Sequence, residues 1–86
     1  MVRIPTHREP AHPGEMLLKE FLEPMGLTQG ELALGIRVPY QRVSELVTGR
    51  RGVTPSMALR LSEFFGNSTG FWLNLQQRWD LFHAQR

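Results

Sequence analysis

Apolar residues recur three and four positions apart in five successive segments of this chain, each punctuated by proline or glycine. Leu17, Leu18, Phe21, Leu22 and Met25 form the first stripe, and all five are expected to face the core. Pro13 suits the first turn of that helix, Glu15 is favourable near its N-terminus, and Pro24 with Gly26 is expected to end it. Thr28 reads as the N-cap of a second helix, with Glu31 completing a capping box ahead of Leu32, Ala33 and Ile36. Pro39 holds Val38 extended and starts a third helix, which buries Val43, Leu46 and Val47 and stops at Gly49. Thr54-Pro55 begins a fourth, where Met57, Ala58, Leu61, Phe64 and Phe65 make the cleanest amphipathic stripe. After Gly66, Asn67 or Ser68 caps a last helix carrying Phe71, Trp72, Leu75, Trp79 and Phe82 on one side. No strand alternation appears, so the pattern predicts an all-α fold of five short helices joined by tight turns.

Eighty-six residues fit one domain with a single modest core. Residues 1–11 hold Pro5, Pro10 and mixed charges without apolar periodicity, and read as a flexible N-terminal arm; 12–86 form the domain. The last helix is unusually aromatic. Trp72, Leu75, Trp79 and Phe82 either complete the monomer core or serve partly as a dimerisation surface, because Leu73 and Leu81 lie on another side. Cysteine is absent, which removes disulfides and thiolate metal sites. No apolar run approaches the roughly 18 residues of a membrane span, and no signal-peptide stretch is visible. A cytoplasmic protein with no membrane partner is expected.

Net charge is only +2, but its distribution is uneven. Between Glu9 and Ile36, Glu9, Glu15, Glu20, Glu23 and Glu31 oppose Lys19 alone. Between Arg37 and Arg60 the signs reverse, with Arg37, Arg42, Arg50, Arg51 and Arg60 against Glu45. Such segregation makes a positive face on a near-neutral chain. All basic residues except Lys19 are arginine, the side chain suited to bidentate contact with phosphate or guanine.

The second and third segments then read as a short helix, a tight turn and a helix offered polar side out, the usual arrangement for reading a DNA major groove. With Val43, Leu46 and Val47 inward, Tyr40, Gln41, Ser44 and Glu45 are the base-reading candidates. Gln41 suits adenine and Glu45 suits cytosine, while Tyr40 offers a hydroxyl and a ring. Thr28, Gln29, Arg37, Arg42, Arg50 and Arg51 are the candidate contacts to the DNA backbone, adding affinity and salt dependence without choosing sequence. Catalysis finds no support. His7, His12 and His83 are scattered and read as surface residues, no metal-ligand spacing or nucleophile elbow is present, and no cofactor is expected.

From about His12 to Gln77 the chain resembles the lambda-repressor-like, XRE-type helix-turn-helix family. Thr28-Gln29-x-Glu31-Leu32-Ala33, then Gln41, Leu46 and Gly49-Arg50, follow its motif. Within that family it is similar to the HigA (VapI-type) antitoxins. The specific strings are His12-Pro13-Gly14-Glu15, Phe21-Leu22-Glu23-Pro24-Met25-Gly26-Leu27, Val38-Pro39-x-Gln41-Arg42-Val43 and Gly49-Arg50-Arg51-Gly52-Val53-Thr54. Ala58-Leu59-Arg60-Leu61, Phe64-Phe65-Gly66-Asn67-Ser68 and Phe71-Trp72-Leu73-Asn74-Leu75-Gln76 complete the match.

The resemblance implies a homodimer on a palindromic operator that represses its own toxin–antitoxin operon. It also implies a HigB-type toxin partner, a RelE-like ribosome-dependent mRNA endonuclease that the antitoxin neutralises. Two positions depart from the family. Arg37 stands where glycine is common, so either Gly35 ends the second helix early or Arg37 is strained; Tyr40 stands where relatives often carry a basic residue. Two rivals remain at this level: a stand-alone repressor without a toxin, and a helical interaction module that has lost DNA binding. Glu45 on the reading face is the best argument for the module.

Overall fold

Proline does not break the first helix. The computed structural model describes residues 9–85, and α1 runs continuously through residues 13–25. It is α-helical over Pro13–Met16, widens to π geometry over Leu17–Leu22, and returns to α over Glu23–Met25. Pro24 therefore lies inside the helix. A proline there gives up the bond to residue 20 and crowds that carbonyl, and the wider preceding turn relieves the crowding. Gly26, left-handed at φ 65°, does the ending. The remaining helices are α2 (Gln29–Ile36), α3 (Tyr40–Val47), α4 (Pro55–Phe65) and α5 (Thr69–Ala84). The described residues thus form the expected five helices and no strand.

Side chains cap three of the five starts in the way hydroxyl residues usually do. Thr28, Thr54 and Ser68 accept from the amides of Glu31, Met57 and Phe71 respectively, and at Thr28 the reciprocal bond from Glu31 completes the capping box. Asn67 is not a cap; its Oδ1 accepts the indole N–H of Trp72 at 3.0 Å. Pro39 stands one place earlier than a first helical residue, as the extended N-cap of α3, and makes no side-chain cap.

The fourth cap is a histidine. His12 Nδ1 accepts the Gly14 amide at 2.9 Å and starts α1. Its ring is buried and meets Trp79 edge-on at 4.8 Å, which corrects the reading of His12 as a surface residue. Burial holds its pKa below the ordinary histidine value, against the opposing pull of Asp80 and Glu15. His83 pairs with Glu9, Nε2 to Oε2 at 2.8 Å. His7 and most of the arm lie outside the described residues.

Leu17, Leu22, Leu32, Ala33, Ile36, Val43, Leu46, Val53, Met57, Ala58, Leu61 and Trp72 form one core. Leu18, Phe21, Val47 and Phe65, also expected there, are partly buried and pack against it. Two expected core residues neither belong to it nor pack on it. Met25 is 57% exposed at the end of α1, and Phe64 is 39% exposed, lying across Gly35 at the rim. Trp72 is fully enclosed, so it belongs to the monomer core and is removed from the dimerisation surface. Val53, a loop residue outside every helical stripe, is buried instead; its amide donates to Gln76 Oε1 at 2.7 Å.

One contact seats α3 against the rest of the molecule. Gly14 is buried where α1 crosses the end of α3, and a methyl group there would overlap the Leu46 carbonyl oxygen. Only glycine lets the two backbones meet so closely. With Val43 and Leu46 pulled inward by this crossing, the opposite edge of α3 is left at the surface.

Candidate nucleic-acid interface

The outward edge of α3 begins with Tyr40, Gln41 and Arg42, all exposed, and continues through half-buried Ser44 and Glu45 to exposed Thr48. Val43 and Leu46, on the other side, retain about 1% of their accessible surface. The polar edge is therefore neither packed inside the chain nor covered by another element. Thr48 turns its hydroxyl back onto the Ser44 carbonyl at 2.9 Å.

The turns that follow α2 and α3 close in the same way. After α3, Arg50 N–H donates to Glu45 O at 2.8 Å and Gly49 N–H to Leu46 O at 3.1 Å, around a left-handed Gly49 at φ 82°. After α2, Val38 N–H donates to Ala33 O at 3.1 Å and Arg37 N–H to Leu34 O at 3.3 Å. Here the left-handed residue is Arg37, at φ 62° and ψ 49°. For a residue with a side chain that conformation costs on the order of 1 kcal/mol. The alternative is settled against Gly35, which lies inside α2 and leaves room for the Phe64 ring.

Among the described residues the guanidinium groups of Arg37, Arg42 and Arg50 carry no ion pair, and all three are exposed. Arg60 differs: its Nη1 donates to the Ile36 carbonyl at 2.7 Å, a cation closing the negative end of α2. At the other end of α2 the capping box satisfies the amides of Thr28 and Glu31, leaving over those of Gln29 and Gly30. Gln29 Oε1 is buried without a hydrogen-bond partner in the chain.

Glu45 and Arg51 meet each other. Arg51 Nε lies 2.9 Å from Glu45 Oε1, while Gln41 Nε2 donates to Glu45 Oε2 at 3.3 Å. Sequence reasoning placed Glu45 among the base readers and Arg51 among the phosphate contacts, and missed that they are one unit. The signal was faint: the two are six positions apart, and only the sharp turn at Gly49 brings the loop back onto α3. No group of three or more His, Cys, Asp or Glu suited to a metal ion occurs among the described residues.

Residues 18–72 match the helix-turn-helix family. The chain belongs to that family. Its relatives place it among the VapI and HigA proteins. It is 44% identical over 75 residues to virulence-associated protein I of Dichelobacter nodosus, covering 87% of this chain and 69% of that protein. It is 46% identical over 81 residues to antitoxin HigA-1 of Vibrio cholerae, covering 93% and 75%. Antitoxin HigA of Pseudomonas aeruginosa, solved with the higBA promoter, superposes with a TM-score of 0.85 at 39% identity, over 87% of this chain and 82% of that one.

Proposed function

We propose that this chain is a HigA-type antitoxin: a DNA-binding autorepressor that also neutralises a RelE-like mRNA endonuclease of HigB type. One observation carries the DNA-binding part. The polar edge of α3 is exposed, and three exposed, unpaired arginines surround it. The likeness to P. aeruginosa HigA, solved with the higBA promoter, supports DNA binding by this fold, and the HigA relatives support the toxin partner. A repressor acting on its own operon works in the cytoplasm, where the DNA is, and by binding rather than catalysis. No helix among the described residues is long and apolar enough to cross a membrane.

In this reading two copies related by a two-fold axis set their α3 helices into successive major grooves, about 34 Å apart. Tyr40, Gln41 and Ser44 face base edges, and Arg37, Arg42 and Arg50 meet phosphates with Thr28 and Gln29 at the start of α2. The half-buried Leu75, Trp79 and Phe82 contribute to dimerisation, with exposed Leu81 beside them. Glu45 no longer argues for a module that has lost DNA binding, because Arg51 neutralises its charge.

Fluorescence anisotropy with the duplex upstream of the gene, at two salt concentrations, tests the reading. Steep weakening with salt is expected, and replacing Arg50 by alanine should flatten that slope by about one charge. Binding indifferent to salt and to Arg50 would overturn it.

A further inference from the structure

The Arg51–Glu45 pair sits at one end of a chain of contacts whose other end is Gln41. Glu45 is the hub. Its carbonyl accepts the amides of Arg50 at 2.8 Å and Arg51 at 3.2 Å, and its carboxylate accepts Arg51 Nε and Gln41 Nε2. The loop after α3 is thereby fastened to the outward edge of the helix by both backbone and side chain. Glu45 is also the more buried partner, its side chain 28% exposed against 44% for Arg51.

The arrangement has a chemical consequence for Gln41. An amide can be flipped to present either its oxygen or its nitrogen in a given direction. A carboxylate four residues along the same helix face removes that freedom, because only the NH2 end can approach it. One Nε2 hydrogen is spent on Glu45. The second hydrogen and Oε1 remain free, and they are the donor and acceptor that match adenine N7 and N6. Arg51 makes the device compatible with DNA: an unpaired carboxylate on this edge would be repelled by the phosphates.

Building on the DNA-binding reading above, we propose that Glu45 and Arg51 are positioning residues, which fix the Gln41 amide and so set the base chosen at the Gln41 contact. Glu45 then reads no base of its own, and Arg51 is not an ordinary phosphate contact. Relaxed selectivity after losing either residue falls on the base pair read by Gln41. Losing Glu45 also releases a guanidinium to the phosphates, so affinity for unrelated sequences rises rather than falls.

Selection from a random-sequence duplex pool tests this, using wild type, Gln41→Ala, Glu45→Gln, Arg51→Ala and Arg51→Lys. Gln41→Ala should erase preference at one base pair per half-site, about tenfold in relative affinity. Glu45→Gln and Arg51→Ala should relax that same base pair and leave the others, while Arg51→Lys, which still faces the carboxylate with a cation, restores it. Glu45→Gln should bind scrambled duplex more tightly than wild type does. Thermal melts by circular dichroism within a few degrees of wild type establish that each variant is folded. Uniform weakening on all sequences by Arg51→Ala would overturn the proposal, as would Glu45→Gln relaxing a different base pair. Wild type selecting no sequence at all would instead overturn the DNA-binding reading beneath it.

Discussion

The two sides of α3 are built on opposite principles. Its inner side is over-determined: Val43 and Leu46 are sealed in the core, and the Leu46 carbonyl is approached so closely by α1 that Gly14 cannot carry even a methyl group. Its outer side has little packing to lose. There the order comes from a few polar bonds, Thr48 onto Ser44 and Gln41 and Arg51 onto Glu45, with free arginines alongside. The difference separates two kinds of cost. Changes on the inner side should be felt as lost stability, and changes on the outer side as lost recognition.

The strongest way to break this comparison is Gly14→Ala. Two backbones must separate to admit the methyl group, an overpacking cost of about 3 kcal/mol, read as a lower urea midpoint. Because the crossing positions α3 as a whole, DNA affinity should fall with it. Next comes His12→Ala, which removes the cap of α1 and the edge contact on Trp79, for about 1–2 kcal/mol near pH 7. His12 also predicts a pH dependence. Its pKa is lowered in the folded chain by burial, so the folded state prefers the neutral ring whose Nδ1 accepts the Gly14 amide. The stability this gives is complete above the ordinary histidine pKa and is lost as pH falls through the lowered one. Urea midpoints between pH 7 and 5 should drop in wild type, and drop less in His12→Asn, which can cap but does not titrate.

Smallest, and opposite in sign, is Arg37→Gly. Glycine takes the left-handed conformation without strain, so the variant should gain about 1 kcal/mol in stability. It should also bind all DNA sequences less tightly, since a free guanidinium is lost. A gain in stability with no loss of affinity would show that Arg37 belongs to neither side of the comparison.

Much of this was legible beforehand, for a physical reason. Helix starts and stops are local chemistry, and Thr28-x-x-Glu31, Thr54-Pro55, Gly49 and Gly66 act as their residue types predict. The outward edge of α3 was legible as well, because a helix this short has one apolar stripe. What periodicity could not supply were contacts between distant segments. Phe64 keeps the spacing of a core residue, yet it lies at the rim over Gly35. His12 precedes the first apolar stripe, so nothing local indicated that Trp79 covers it. Trp72 carried the same spacing as Leu75, Trp79 and Phe82, and only packing placed it wholly inside. Within the candidate interface, the Arg51–Glu45 pair stayed hidden because the turn that creates it reverses the chain.

Recognition by this molecule requires the outer edge of α3 to enter a duplex. Amide NMR spectra, recorded while the upstream duplex is titrated into the whole protein, test it most directly. The largest shifts are expected at 40–45 and 50–51, with a second group at 28–30. Shifts confined to 69–84, with residues 40–51 unmoved, would contradict it.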